Sequence, residues 1–220
     1  MQNAIVLSAK IDIDEINEQT PDKVLDLLNR VYSVVENRSE QLGCEVIKKN
    51  ANNSLLIIGG LYPGKQKIKS HEIHFFFKGV FDELTPAEQI VELALAIHRA
   101  VSYSNIRAEN KIAISVKIGI TCGPITLGLT GLSGLSNKYN YDAWGQTVEI
   151  AHKLAQSAPS NAIVVSDEAY FYIANRRFVL EPMTTSTHMK MYTVVVPEVE
   201  KVTTFLQPTT VESAMSIPPV

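Results

Sequence analysis

Five histidines, two cysteines and scattered carboxylates are the residues of this chain that could do chemistry, and their spacing excludes most of it. His71, His74, His98, His152 and His188 make no HExxH pattern. His71 and His74 stand three apart beside Phe75, Phe76 and Phe77, without the further ligands a zinc site needs. Cys44 and Cys122 belong to no CxxC and lie far from the histidines, as expected in a reducing compartment and without a zinc site. Ser8, His152 and Asp167 supply the residue types of a hydrolytic triad, but no nucleophile elbow accompanies them. The stretch from Gly128 to Gly134 holds three glycines near hydroxyls in neither phosphate-loop spacing, so it reads as a connection. Trp144, at the head of a helical stretch, reads as a packing anchor. None of these patterns calls for a cofactor.

The elements that must position these residues follow from periodicity and punctuation. Residues 4–9 are a strand that leads into an acidic turn, Asp12 to Glu18. Thr20-Pro21-Asp22 then starts a helix with a capping hydroxyl, Pro at the first helical position and an early acid. Val24, Leu27, Leu28, Val31, Val34 and Val35 give that helix an apolar face, and Gly43 ends it. Two strands follow, Cys44–Lys49 and Ser54–Ile58, around the turn residues Asn50 to Asn53. Residues 62–85 read as an insertion with some structure of its own. Thr85-Pro86-Ala87-Glu88 is a capping box opening a second helix, with Ile90, Leu93, Ala94, Ile97 and Val101 inward.

Beyond it, Ile112–Thr121 and Ile125–Thr130 form an expected strand pair around Cys122-Gly123-Pro124. A third helix spans about Gln146–Gln156, then a strand Ala162–Val165, a short helix Asp167–Ala174, and a closing pair, Arg177–Leu180 with Met191–Val196. The order βαββαβ followed by further αβ units predicts an antiparallel or mixed sheet with helices on one side, an α+β, ferredoxin-like sandwich. Residues 1–197 make one domain, with the insertion at 62–85. Residues 198–220 are Pro/Thr-rich and aperiodic, which predicts a tail or linker.

Bulk properties narrow the function. Of 220 residues, 45% are hydrophobic and 20% charged, and the net charge of −3 with a pI near 6.0 offers no basic surface for nucleic acid. No apolar run reaches the 18 or so residues of a membrane span, and the first residues lack the basic region of a secretory signal. A cytoplasmic location, peripheral to a larger assembly, is expected.

Four segments carry a family resemblance. They are Thr20 to Asn29, Gly43 to Leu61, Val116-Lys117-Ile118-Gly119-Ile120-Thr121-Cys122-Gly123-Pro124, and Tyr141-Asp142-Ala143-Trp144-Gly145-Gln146-Thr147-Val148-Glu149-Ile150-Ala151. In that order they resemble the first long helix, the central hairpin, the "vGIhtGp" strand and the "YDxWGxTVnxA" segment of class III adenylate and guanylate cyclase catalytic domains. The resemblance implies that family's fold. It also implies a head-to-tail pair of domains with nucleotide between them, two metal ions held by two aspartates, and an Asn and an Arg at the transition state.

This chain departs from the pattern where that chemistry lies. The first metal aspartate falls on Lys10, or on Asp12 in a register two residues later that shortens the following loop. The second, counted back from Gly59-Gly60-Leu61, falls on Asn53. An ammonium repels a magnesium ion, and an amide offers one weak oxygen. The transition-state positions fall on Glu149, which repels a triphosphate, and Lys153, which lacks the planar guanidinium fork. Lys49 and Asp142 retain the residue types that the resemblance assigns to purine reading, an adenine edge offering one acceptor and one donor. The alternative for each is structural: Lys49 a solvated strand end, Asp142 a helix cap.

Besides a self-sufficient cyclase that uses Asp12 or Asp14 in an unusual site, two functions compete on this reading. One is a non-catalytic cyclase-homology domain that dimerises or docks in a larger signalling assembly. The other is the metal-free half of a heterodimeric adenylate cyclase, supplying Lys49 and Asp142 to a partner with both aspartates. Either way the expected partner is another cyclase-type domain or a larger assembly, with an adenine nucleotide as the candidate small molecule.

Overall fold

Alternation along the first strand sorts the whole molecule into layers. In β1 (Asn3–Ile13), Ile5, Leu7, Ala9 and Ile11 face one way, and Ala4, Val6, Ser8, Lys10 and Asp12 the other. The computed structural model describes residues 3–13, 21–49, 53–61, 84–107, 113–130, 140–174, 177–184 and 190–196. The helix α1 (Pro21–Leu42) stops at Gly43, whose φ of +66° is the left-handed conformation that closes a helix, with Cys44 N–H donating to Ser39 O at 2.8 Å. A hairpin, β2 (Glu45–Lys49) and β3 (Ser54–Gly59), follows. The capping box ahead of α2 (Pro86–Arg107) forms as its sequence predicts. Glu88 Oε2 accepts from both Thr85 N–H and Thr85 Oγ1 at 2.7 Å, and Glu88 N–H donates to Thr85 Oγ1.

The second half supplies β4 (Ile114–Pro124), β5 (Thr126–Thr130), β6 (Asn140–Trp144) and α3 (Gln146–Ser157). The chain continues through β7 (Ala162–Ser166), α4 (Asp167–Ile173), β8 (Leu180–Met183) and β9 (Met191–Val194). Seven strands form one sheet in the order β2-β3-β1-β4-β7-β9-β8. Its pairs are antiparallel except β4 with β7. The α+β sandwich with a mixed, mostly antiparallel sheet is therefore the observed class.

Helices cover both faces, not the single face expected. Ile5, Leu7, Ile57, Ile118 and Ile120 pack under α1, α2 and α4 through Val31, Val35, Ile90, Ile97, Ala169 and Ile173. The opposite face carries Ala4, Val6, Leu56 and Ile58 against Val148 and Ala151 of α3. What brings α3 so close is Gly119: a Cβ there would stand 2.5 Å from Ala151 O and 2.6 Å from Leu154 Cβ. Helix backbone lies directly on the strand at that point.

Three further expectations are corrected. β5 does not pair with β4; it makes a separate two-stranded ribbon with β6, a strand that the sequence pattern does not announce. Residues 177–179 are not strand, and the closing pair is β8 with β9. The first strand runs to Ile13, past the apparent end of its apolar run, because Ile11 and Ile13 continue its pairing with β4. Residues 62–83 of the insertion expected at 62–85, residues 131–139 and the tail expected at 198–220 lie outside the described residues, as do His71, His74 and His188.

Candidate functional site

The alternation of β1 places Lys10 and Asp12 on the α3 face beyond the buried Ser8. In register, Lys10 opposes Ser54 of β3 on one side and Lys117 of β4 on the other. Asn53 lies immediately before β3, in the left-handed region at φ 58° that asparagine tolerates, and its carbonyl accepts from Ile11 N–H at 3.1 Å. Lys10 and Asn53, far apart in sequence, are thus neighbours across two strands.

Asp12 is committed between two cations. Its Oδ1 lies 2.9 Å from Lys10 Nζ and its Oδ2 3.5 Å from Lys117 Nζ. Among the described residues no group of three or more His, Cys, Asp or Glu gathers into a metal site. The donors that the described residues bring to this end, two ammoniums, one amide and one carboxylate already paired, do not fit a pair of divalent cations. Lys117 was not singled out in the sequence reading. Its signal was there: a charged residue at a position of β4 where the strand alternates towards α3.

The purine pair is approached only through its backbone on one side. Lys49 ends β2 opposite Leu55. Asp142 is a strand residue of β6, opposite Gly128, and not the cap of α3: that position belongs to Gly145, without a side-chain cap bond. Its Oδ1 accepts from Ala143 N–H at 2.9 Å. β6 packs against β2, with Ile47, Ala143 and Tyr141 in one apolar cluster, so 93 residues of separation close into neighbouring elements. Glu149 and Lys153 sit one turn apart on the exposed side of α3, opposite its buried Val148, Ala151 and Leu154.

The remaining candidates separate. Ser8, buried on β1, shares a hydrogen bond of 2.8 Å with His152 Nδ1. Asp167 is elsewhere, accepting from Tyr192 Oη at 3.0 Å, so no triad assembles. Trp144 lies over Gly128 on the outer face of the ribbon and is 40% exposed, so it is not a buried anchor. Burial pushes the Cys44 thiol up to about 12, and burial with the Glu168 charge raises that of Cys122, so neither behaves as a ready thiolate.

With this geometry in view, the family match is decisive: the adenylate and guanylate cyclase catalytic domain family matches residues 4–206. The chain belongs to this family. Among relatives of this cyclase domain, the membrane guanylyl cyclase of Dictyostelium discoideum is 24% identical over 162 residues, which is 74% of this chain and 9% of that protein. An adenylate cyclase of Mycobacterium tuberculosis is 20% identical over 157 residues, 71% of this chain and 30% of that protein. The chain thus spans less than a third of these relatives.

Two solved structures share the fold. The dimeric guanylyl cyclase domain of the RhoGC fusion protein from Blastocladiella emersonii superposes with a TM-score of 0.66 at 16% identity, covering 89% of this chain and 97% of that one. The adenylyl cyclase CyaB from P. aeruginosa gives 0.65 at 18%, covering 88% and 95%. No helix among the described residues is long and apolar enough to cross a membrane.

Proposed function

We propose that this cyclase domain is non-catalytic and serves as a dimerisation or docking module in a larger signalling assembly. One observation carries the reading. At the two positions that the resemblance assigns to metal carboxylates stand Lys10 and Asn53, side by side, while the nearby Asp12 is held by Lys10 and Lys117. Two-metal activation of a ribose hydroxyl needs carboxylates free to take up cations. The test is direct. The purified chain, given ATP or GTP with magnesium or manganese, is expected to form no cyclic nucleotide. Metal-dependent turnover that vanishes in Asp12→Ala sinks the reading.

A second reading has its own support. β6, which carries Asp142, lies against β2, which ends in Lys49, as a purine pocket would require. On this reading the chain is the metal-free half of a heterodimeric adenylate cyclase. Glu149→Asn with Lys153→Arg, mixed with a metal-competent cyclase domain, then raises adenylate cyclase activity. An inert mixture despite proven association rejects it.

A further inference from the structure

Among the described residues, the row Ser54–Lys10–Lys117 holds more positive charge than its neighbouring carboxylate balances. Directly opposed residues on neighbouring antiparallel strands share a face and stand about 5 Å apart, and like charges so placed repel. Here Lys10 and Lys117 are such a pair, and Ser54 continues the row on β3. Asp12, one step along the same face, answers both ammoniums at 2.9 and 3.5 Å. Two cations and one carboxylate leave one positive charge in this cluster. All three side chains remain partly open, at 40%, 26% and 31% exposure for Lys10, Lys117 and Asp12.

We infer that Lys10, Lys117 and Ser54 form a metal-independent site for a phosphate group, with Asp12 as an internal anion that the ligand competes against. A phosphate presents only acceptor oxygens in its fully ionised form, and the row offers two ammoniums and a hydroxyl. Lysine serves such groups as a point charge, without the fixed geometry of an arginine fork. The same ammoniums that exclude a divalent cation supply the charge that a cation would otherwise bring to the phosphate. This goes beyond the docking reading and needs neither the purine pair nor a partner domain.

The test uses the full chain in EDTA, with inorganic pyrophosphate and ATP as calorimetric titrants at low and moderate salt. Binding is expected without metal, weakening as salt rises. Lys10→Gln and Lys117→Gln should each weaken pyrophosphate about tenfold through loss of one ion contact. Asp12→Asn should tighten it by about fivefold, because the internal competitor is gone. A purely structural ion-pair cluster behaves oppositely: Asp12→Asn then lowers the melting temperature and creates no binding. The inference is overturned if neither wild type nor a folded Asp12→Asn protein binds pyrophosphate in EDTA. It is also overturned if binding appears only with added magnesium, or is indifferent to both lysine variants. ATP tighter than pyrophosphate assigns the phosphate to a nucleotide, and equal affinities assign it to free phosphate groups; both support the site.

Discussion

Ser8 on β1 and His152 on α3, 144 positions apart, are joined by a hydrogen bond of 2.8 Å beneath the helix. Ser8 is only 2% exposed, so its hydroxyl has left water and depends on the imidazole for a partner. The couple is a tie between helix and sheet, not a nucleophile and base, since no substrate carbonyl reaches a hydroxyl so covered.

Breaking either end of that tie leaves the other group short of its partner. Ser8→Ala and His152→Ala should each cost about 1–2 kcal/mol of unfolding free energy, and the double variant less than their sum. Urea melts of the four proteins in a double-mutant cycle measure this. Strictly additive losses contradict a direct bond.

A second histidine makes stability depend on pH. His98 on α2 has its Nδ1 buried with no hydrogen-bond partner among the described residues. Burial lowers its pKa from 6.5; a backbone hydrogen bond with Asn161 opposes the shift, and the Arg99 charge adds to it. Asn161 in turn accepts from Val116 N–H, which keeps that corner in place. A lowered folded-state pKa means that below about 6.5 the unfolded chain takes up a proton that the folded one resists. Stability from this group is therefore complete above 6.5 and lost as pH falls through the folded pKa. Comparing urea melts of wild type and His98→Gln at pH 7.5 and pH 5.5 should show a smaller acid loss in the variant. Equal losses remove His98 as the cause.

How much of this was legible in the sequence depended on how local each signal is. The Thr85–Glu88 box and the Gly43 stop were readable because both close within a few residues, and they are observed as written. The ribbon is not legible because β5 and β6 are each five residues long and pair across a glycine-rich connection, which leaves a helix cap open as the structural alternative for Asp142. The neighbourhood of Lys10 and Asn53 was readable only through the family resemblance. Lys117 could not be joined to them at all, since strand order is set by packing on both faces and not by any local pattern.

The ribbon also carries the expectation of association. Opposed pairs Leu127–Ala143 and Leu129–Tyr141 share its inner face, and Leu127, Ala143 and Tyr141 pack on the second apolar cluster. Leu129 continues that face yet is 69% exposed, beyond the reach of the sheet beneath it. On the outer face Trp144 is exposed as well. Large apolar side chains on a two-stranded ribbon, exposed on both its faces, are the kind of anchors that interfaces bury. We expect this chain to self-associate as a homodimer through the ribbon. Leu129→Lys and Trp144→Ala should each weaken association about tenfold or more. Their thermal stability as monomers should change little, because each side chain already meets water. Sedimentation velocity across a concentration series separates the two effects. A wild-type protein that stays monomeric at high micromolar concentration, or a Leu129→Lys protein that dimerises as well as wild type, rules the ribbon out as the contact.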